Sequence, residues 1–399
     1  MAHLDLSRRG EGIAGSPIIA LENRRMDLQR AGRDIVNFAG GEMDLPTPHA
    51  IIKAGIDALE TGYTRYTEDA GLLALREAVC EKLRRENGIH ASPDTVIVTA
   101  GSKFATYMAL HVLCDPGDEV LIPTPCWPTY AEQVRLVGAS PALVPTREDH
   151  GFRLAPDALT AAVSRKTRGV ILNNPVNPTG AVYGRKDLEA LADVLVREEL
   201  FVIVDEIYEH LAFDAPAHVS LASLGPDIAA LAITVGGCSK NFSMTGWRVG
   251  FAAGPPRVIT AMKRLQSQTT SCPNAAAQKA AVVALSGGPL PFLRDTLRGR
   301  RDALWAGLAG LPGVTPLHPA AGFYVFAGVR PWLGHQTRTG QRLPADSASL
   351  ASVLLEEASV AVLPGSAFGA EGYLRFTFAP TPRARIDEGL NRLRMFLAA

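Results

Sequence analysis

The sequence predicts an α/β protein in which a mostly parallel sheet is covered by helices on both faces, joined to a smaller α+β lobe. Three observations support this fold class. Short runs rich in Val and Ile have the length and composition of buried strands. Helical patterns lie between most of these runs, as expected for repeated βαβ units. From about Pro291 onward, long helical patterns alternate with only two further strand-like runs.

The first two-thirds of the chain supply the elements of the large sheet. Six apolar runs are predicted strands: Val96–Thr99, Glu119–Ile122, Gly169–Leu172, Phe201–Val204, Leu231–Val235 and Val249–Ala252. Helical patterns cover Leu72–Asn87, Phe104–Cys114, Tyr130–Val137, Ala155–Val163 and Arg185–Glu198. Ligands of such sheets bind at the carboxyl ends of the strands, so the polar residues that follow each strand are the candidate site.

The last part of the chain predicts the smaller lobe. Its elements are a helix over Leu293–Leu308, a strand over Phe323–Val329, a helix over Ser347–Ala358, a strand over Leu374–Ala379 and a terminal helix. We predict a large domain of residues 49–290 and a small domain of residues 1–48 and 291–399, because loop chemistry before Pro48 precedes the first clear element of the large domain. The polar stretch 330–346 is either an inert surface loop or a lid or interface segment.

Composition limits the classes of partner. The 399 residues are 47% hydrophobic, and 40 basic residues balance 40 acidic ones, so no overall field attracts nucleic acid or an anionic membrane. Five scattered cysteines without CxxC spacing indicate neither a disulfide framework nor a metal site.

The first fifteen residues lack an apolar signal region, and no apolar run approaches the roughly 18 residues of a membrane span. We expect a soluble, cytoplasmic protein that binds small molecules.

A glycine-serine-lysine turn follows the first predicted strand of the sheet. Gly101, Ser102 and Lys103 lie between this strand and a helical run, where free backbone N–H groups suit an anion such as phosphate. A plain turn explains the same residues, because the segment lacks the full spacing of a Walker or Rossmann motif.

An acid and a lysine follow two further predicted strands. Asp205 at the end of a buried strand could hold a proton on a heterocyclic nitrogen, with Tyr208 near the same ring, or Asp205 could cap the next helix. Lys240 lies in a turn rich in Gly and Ser, where poor solvation would lower its pKa and favour imine formation. Arg248, eight residues later, could bind a phosphate with two hydrogen bonds.

With these motifs in this order, the chain resembles the class I/II aminotransferases of fold type I, the aspartate aminotransferase type. Matching blocks extend from near residue 30 to near residue 380: Gly41–Asp44, Thr47-Pro48, Tyr66, Ala70-Gly71, Leu75-Arg76, Asn173–Gly180, Asp205–Tyr208, Ser239–Gly250, Pro364-Gly365 and Arg375. The resemblance implies pyridoxal 5'-phosphate as cofactor, a seven-stranded sheet in the large domain, and a homodimer with shared active sites.

The resemblance also implies roles around the cofactor ring. Lys240 would carry the cofactor as a Schiff base and then move a proton once an amino acid displaces it. Asp205 would keep the pyridine nitrogen protonated, while Tyr208 and Asn177 would hydrogen-bond the phenolate oxygen. Trp127 would stack on the ring face; its alternative role is an ordinary packing residue.

The phosphate-binding residues follow from the same resemblance. Gly101, Ser102, Ser239 and Arg248 would surround the phosphate, and Tyr66 would reach it from the neighbouring subunit. One position departs from some family members: Gly237 stands where they place a serine that contacts the phosphate.

Substrate recognition is the least specific part of the pattern. Arg375 would grip the α-carboxylate with two hydrogen bonds, beside Asn177, and Gly41 would let the substrate approach the backbone closely. Lys103 resembles a lysine that contacts the distal carboxylate in some bacterial aspartate and prephenate aminotransferases. We therefore expect glutamate or aspartate as amino donor; a solvated lysine in a first helical turn is the alternative.

The expected function is a pyridoxal-phosphate-dependent aminotransferase that moves an α-amino group to a 2-oxo acid by a ping-pong mechanism. A lyase, synthase or cyclase on the same fold is the alternative, because it would keep nearly all of these residues. A cofactor-sensing transcription regulator is disfavoured by the zero net charge.

Overall fold

A seven-stranded sheet is the largest element of the computed structural model, which describes residues 4–13, 15, 17–214, 218–336 and 342–398. The strands are β1 (Val36–Asn37), β2 (Val96–Thr99), β3 (Glu119–Thr124), β4 (Ser140–Pro145), β5 (Thr167–Asn173), β6 (Phe201–Asp205), β7 (Ala232–Gly237), β8 (Gly250–Ala253), β9 (Thr315–Pro316), β10 (Tyr324–Gly328), β11 (Val360–Ala361), β12 (Leu363–Pro364) and β13 (Tyr373–Thr377). The large sheet has the order β2-β8-β7-β6-β5-β3-β4. Only β8 runs antiparallel to its neighbours; the other pairs are parallel.

Helices connect most of these strands. They are α1 (Arg8–Glu11), α2 (Pro17–Arg30), α3 (His49–Glu60), α4 (Leu73–Lys82), α5 (Ser102–Leu113), α6 (Thr129–Leu136), α7 (Pro156–Ala162), α8 (Arg185–Arg197), α9 (Pro226–Ala229), α10 (Cys238–Asn241), α11 (Pro256–Ser267), α12 (Ala275–Gly287), α13 (Pro291–Ala309), α14 (Ser347–Glu356) and α15 (Arg383–Ala398). Within the described residues, no helix has the length and hydropathy needed to cross a membrane.

The central strands are buried on both faces, which explains their continuous apolar runs. Ile171 of β5 and Ile203 of β6 pack in one apolar cluster with residues of α5 and α11. Leu172 and Val204, the next residues along the same strands, pack in a second cluster with residues of α7 and α8. Alternate residues of a strand point to opposite faces, so helices cover the sheet on both sides.

A second, antiparallel sheet of order β12-β13-β10-β9 packs with α13, α14 and α15. The early strand β1 pairs with β11, which attaches the segment before residue 48 to this part of the chain. Ile207, Tyr208 and Leu211, which follow β6, share an apolar cluster with residues of this second sheet. The end of β6 therefore lies where the two sheets meet. The domain boundaries at 48/49 and 290/291 stay a prediction.

The predicted fold class is confirmed, and the differences from the sequence expectation have local causes. Strand β4 was not among the predicted runs, because it is mostly exposed and begins and ends near prolines. Helix α4 ends at Lys82, and the remainder of the predicted helix is a π-helical turn over Leu83–Asn87. Of the polar stretch 330–346, residues 337–341 lie outside the described residues.

Candidate active site

The carboxyl ends of β5, β6 and β7 and the turn after β2 surround one cavity of about 300 Å³. Most of the residues singled out in the sequence line it: Gly41, Ser102, Lys103, Trp127, Asn177, Asp205, Tyr208, Ser239, Lys240, Arg248 and Arg375. Gly101 adjoins the cavity through its contact with Arg248. Tyr66 is the exception, because it is 90% exposed and lines a separate surface hollow with Tyr63 and Cys272.

The turn after β2 brings an arginine to the N-terminus of a helix. Gly101 has φ +86, and a Cβ atom there would lie 2.4 Å from Nη2 of Arg248, so only glycine allows this close approach. Arg248 donates to the carbonyl oxygens of Thr245 (3.0 Å) and Ala100 (3.4 Å). Its guanidinium is thereby held at the N-terminus of α5, where free N–H groups and the helix dipole already favour negative charge.

Asp205 is a buried carboxylate held by two donors. The hydroxyl of Tyr130 donates to Oδ2 at 2.7 Å, and the backbone N–H of Ile207 donates to Oδ1 at 3.2 Å. Burial raises the pKa of Asp205 to about 6, although both hydrogen bonds oppose this shift. The two donors leave further lone pairs free on each oxygen, so the carboxylate can still accept a hydrogen bond from a ligand.

Lys240 lies on the short helix α10 that follows the neighbouring strand β7. Its Nζ donates to the carbonyl oxygen of Gly41 and lies 5.6 Å from the centre of the Phe323 ring. Burial lowers the pKa of Lys240 to about 8; Glu42 opposes the shift, and Arg375 and Arg248 add to it. A lysine with this pKa is partly neutral near neutral pH, which makes it a nucleophile.

Arg375 on β13 is the buried cation opposite Lys240. It is 3% exposed and donates to Oδ1 of Asn177 and to the carbonyl oxygen of Ala39, both at 3.1 Å. Its Nε has no hydrogen-bond partner, and no carboxylate of the described residues forms an ion pair with Arg375. Burial lowers the pKa of Arg375. A buried guanidinium without an anion is costly, so the site favours a ligand that brings a carboxylate.

Asn177 and Asp205 are connected through Asn173, which the sequence analysis included in the matching block Asn173–Gly180 but gave no role. Oδ1 of Asn173 accepts from the Asn177 backbone N–H at 2.7 Å, and its Nδ2 donates to the Asp205 carbonyl oxygen at 2.8 Å. The ends of β5 and β6 are thus fixed relative to each other.

Lys103 and Trp127 form one wall of the cavity. Nζ of Lys103 lies 4.7 Å above the centre of the Trp127 ring, a cation–π distance. Burial and the charge of Arg248 lower the pKa of Lys103. Lys103 is nevertheless exposed to solvent, so the alternative of a solvated lysine in a first helical turn stands beside the distal-carboxylate prediction.

Two tyrosines complete the site and were missed in the sequence. Tyr130 was placed in a predicted helix and Tyr324 in a predicted strand, and nothing in either pattern indicates a hydroxyl aimed at the site. The Tyr324 hydroxyl lies 2.8 Å from that of Tyr208, and its ring lies 4.1 Å from the guanidinium carbon of Arg375. Ile18, Ala39, Ile207 and Thr245 also line the cavity and were not predicted.

Gly237 departs from some relatives for a packing reason. A Cβ atom at this position would lie 3.1 Å from both the Gly250 Cα and the Val249 carbonyl oxygen. The close approach of β7 and β8 therefore favours glycine over serine here.

Comparison with known proteins gives consistent matches. The model of the family "Aminotransferase class I and II" matches residues 33–393. Aspartate aminotransferase of Geobacillus stearothermophilus is 38% identical over 99% of this chain and 100% of its own. Aspartate/prephenate aminotransferase of Cereibacter sphaeroides is 40% identical over 96% of each chain. The solved structure of Thermus thermophilus aspartate aminotransferase with maleate has a TM-score of 0.92 and 37% identity, over 99% of this chain and 100% of that one.

Replacing Asp205 by Asn should stabilise the protein without bound ligand. Because the folded-state pKa of about 6 lies above the ordinary value near 4, the folded protein binds this proton more tightly, and stability falls as pH rises between these values. Asn cannot ionise, so Asp205→Asn should raise the free energy of unfolding at pH 7 by about 1–3 kcal/mol. Urea unfolding from pH 4 to pH 8 measures this. Exposed Asp193→Asn is the control, and a less stable Asp205→Asn protein would contradict the assignment.

Proposed function

Because the chain belongs to the class I and II aminotransferase family, we propose that it uses pyridoxal phosphate to move the α-amino group of aspartate or glutamate to a 2-oxo acid. The observation that carries this proposal is the arrangement of Lys240, Asp205 and Arg375 around one cavity. A ping-pong reaction needs all three: an amine that exchanges with the donor, an acid for the cofactor ring, and a cation for the α-carboxylate.

The anion pocket fits the cofactor phosphate. Ser102, Ser239 and Arg248 line the cavity, and the absence of a side chain at Gly101 brings Arg248 close to the first turn of α5. We propose that these groups hold the phosphate by charge-assisted hydrogen bonds, which anchors one end of the ring.

The opposite end of the cavity fits the ring. When bound, the cofactor supplies an electron-withdrawing ring that stabilises negative charge at the substrate Cα. Asp205 would accept a hydrogen bond from the protonated ring nitrogen, and Tyr208 and Asn177 would donate to the ring's phenolic oxygen. Trp127 offers an aromatic face beside this position; it meets Tyr130 edge to face, with ring centres 5.3 Å apart. Tyr130 would keep Asp205 in place by its hydrogen bond.

Lys240 is the residue that we propose to bind the cofactor aldehyde and to move the proton. Its lowered pKa leaves a fraction of the amine neutral, as covalent attachment requires. With a substrate bound, the Lys240 amine would serve as the base that accepts and holds the proton of the substrate Cα. The carbonyl of Gly41 would orient the amine during this transfer.

The two carboxylates of an acidic donor would bind at opposite ends of the cavity. Arg375 would take the α-carboxylate with its unpartnered Nε and a neighbouring N–H. Lys103 would take the distal carboxylate, which would also relieve its repulsion by Arg248. Maleate, named with the Thermus thermophilus structure, is a dicarboxylate and is consistent with this assignment.

We also propose a cytoplasmic homodimer with shared active sites. The exposed Tyr66 lines one surface hollow with Leu59 and Tyr63, which are 56% and 39% exposed. Such an apolar patch favours a second protein surface. A partner copy covering it would explain how Tyr66 reaches the phosphate of the other subunit. The five cysteines are all unpaired, as in a reducing compartment.

Replacing Lys103 by Met should reduce activity only with acidic donors. Loss of a charge-assisted hydrogen bond to the distal carboxylate should lower kcat/KM for aspartate and glutamate by roughly 10- to 100-fold, and leave alanine within about twofold. Steady-state kinetics with the three donors measures this. The control is Lys186→Ala, an exposed lysine of α8. An equal loss for all three donors would contradict an acidic pocket.

Two variants of Tyr324 should separate its two contacts. Tyr324→Phe removes the hydroxyl from Tyr208 but keeps a ring beside Arg375, so kcat should fall about 5- to 10-fold with little change in KM for aspartate. Tyr324→Leu also removes the ring beside Arg375, so it should in addition raise the KM for aspartate. Kinetics of both variants tests the pair. If the Phe variant equals wild type, the hydroxyl contact has no catalytic role.

A further inference from the structure

A group of buried polar side chains lies next to the proposed cofactor site but outside the cavity. We call it the Lys82 cluster; its members are Lys82, Asn87, Glu206, Glu209, His218 and Ser220. Lys82 is 2% exposed, Glu206 1% and Ser220 0%. Burying several charges is expensive, so a cluster of this kind calls for a specific explanation.

The cluster connects three parts of the chain. Lys82, at the end of α4, pairs with Glu209 and donates to Oδ1 of Asn87 at 2.6 Å. Nδ2 of Asn87 lies 2.8 Å from Glu209 and 3.1 Å from Glu206. Ser220 donates to Glu206 at 2.6 Å. Each carboxylate therefore receives several donors from elements outside its own loop.

Two members of the cluster directly follow residues that line the cavity. Glu206 follows Asp205 and Glu209 follows Tyr208, while Asp205 and Tyr208 themselves line the cavity. Asn241, next to Lys240, approaches Glu209 at 3.5 Å. The backbone between residues 205 and 209 is thus fixed on one side by the cluster and offers cofactor ligands on the other.

The charges of the cluster balance only if His218 is protonated. Lys82 supplies one positive charge against the two carboxylates of Glu206 and Glu209. Nε2 of His218 lies 3.3 Å from Glu206. Burial lowers the pKa of His218, but the charges of Glu206 and Glu209 outweigh this and raise it, against a smaller opposing effect of Lys82. With protonated His218, two positive charges face two negative ones.

A histidine and a further carboxylate border the cluster. Nε2 of His210 lies 2.8 Å from Glu86, and Nζ of Lys82 lies 3.7 Å from the same carboxylate. Burial raises the pKa of Glu209, yet Lys82, His210 and His218 together lower it to about 2. Glu209 therefore stays ionised over the whole working pH range.

Glu206, Glu209 and His218 offer ligand atoms within 4.8 Å of one another, a spacing that a metal ion could use. The ammonium group of Lys82 already lies at Glu209, and its charge opposes a second cation. We therefore assign charge balance to His218 rather than to a metal.

We propose that the Lys82 cluster positions Asp205 and Tyr208 for cofactor binding, and that it does so fully only while His218 is protonated. The proposal rests on the proposed function for its cofactor half. Loss of the proton would leave one uncompensated negative charge in a buried site and loosen the loop between residues 205 and 209.

His218→Gln tests the proposal through stability and cofactor affinity. Because the folded-state pKa of His218 is raised, its stabilisation is complete below about pH 6.5 and lost as pH rises through the folded pKa. At low pH, wild type should have the higher unfolding midpoint and about fivefold tighter affinity for pyridoxal phosphate than His218→Gln. At high pH the two proteins should converge in both properties. Thermal unfolding and fluorescence titration with pyridoxal phosphate from pH 6 to pH 9 measure this.

The exposed His90→Gln variant is the control and should follow wild type throughout. Lys240 titrates in all three proteins, so only the difference between them reports on His218. Wild-type and His218→Gln curves that run parallel at every pH would overturn the proposal. The proposal would also be overturned if the unfolding midpoints of wild type and His218→Gln converged at high pH while their affinities for pyridoxal phosphate were identical at every pH. The cluster would then have only a structural role. If wild type bound no pyridoxal phosphate while stability converged, the proposed function would be at fault.

Ser220→Ala keeps the test decisive if His218→Gln does not fold. It removes the hydroxyl that donates to Glu206 without changing the charge of the cluster. Its cofactor affinity should be a few-fold weaker than that of wild type, with the pH dependence retained. An affinity equal to that of wild type would count against a positioning role.

Discussion

Two opposite charges at neighbouring strand ends, a buried acid and a half-buried amine without an ion pair between them, are the constraint on which the site depends. Asp205 ends β6, and Lys240 follows β7, which pairs with β6 in parallel register. Burial moves the pKa of the acid up to about 6 and that of the amine down to about 8. Each group is destabilised alone and would be stabilised by a ligand that is cationic at one end and electrophilic at the other.

The second sheet supplies what the large sheet lacks. Arg375 and Tyr324 come from β13 and β10, which pair directly, and Tyr324 contacts both Tyr208 and Arg375. One tyrosine thus connects the group proposed to bind the cofactor oxygen with the group proposed to bind the substrate carboxylate. This contact joins the two sheets at the site, although the proposed cofactor ligands lie mainly on one.

The sequence was enough to predict the site residues that lie at strand ends or in local turns. Asp205, Lys240 and the Gly101 turn each follow an apolar run, and parallel strands bring such ends together. Tyr130, Asn173 and Tyr324 could not be found in this way, because their roles arise from contacts between distant segments. Strand β4 was missed because its apolar run is only three residues long, 142–144, and lies between two prolines at the exposed edge of the sheet. The Lys82 cluster was missed because its members come from three separate segments, and because Glu206 and Glu209 lie directly beside residues that line the cavity.

The most direct test of the account is to locate the lysine that binds pyridoxal phosphate. The protein is mixed with the cofactor, treated with borohydride to make the lysine bond permanent, digested and mapped by mass spectrometry. Lys240 has a pKa lowered to about 8 and lines the cavity beside Asp205, so the account predicts that the label resides on this residue. Label on Lys103, or spread over surface lysines with none on Lys240, would contradict it.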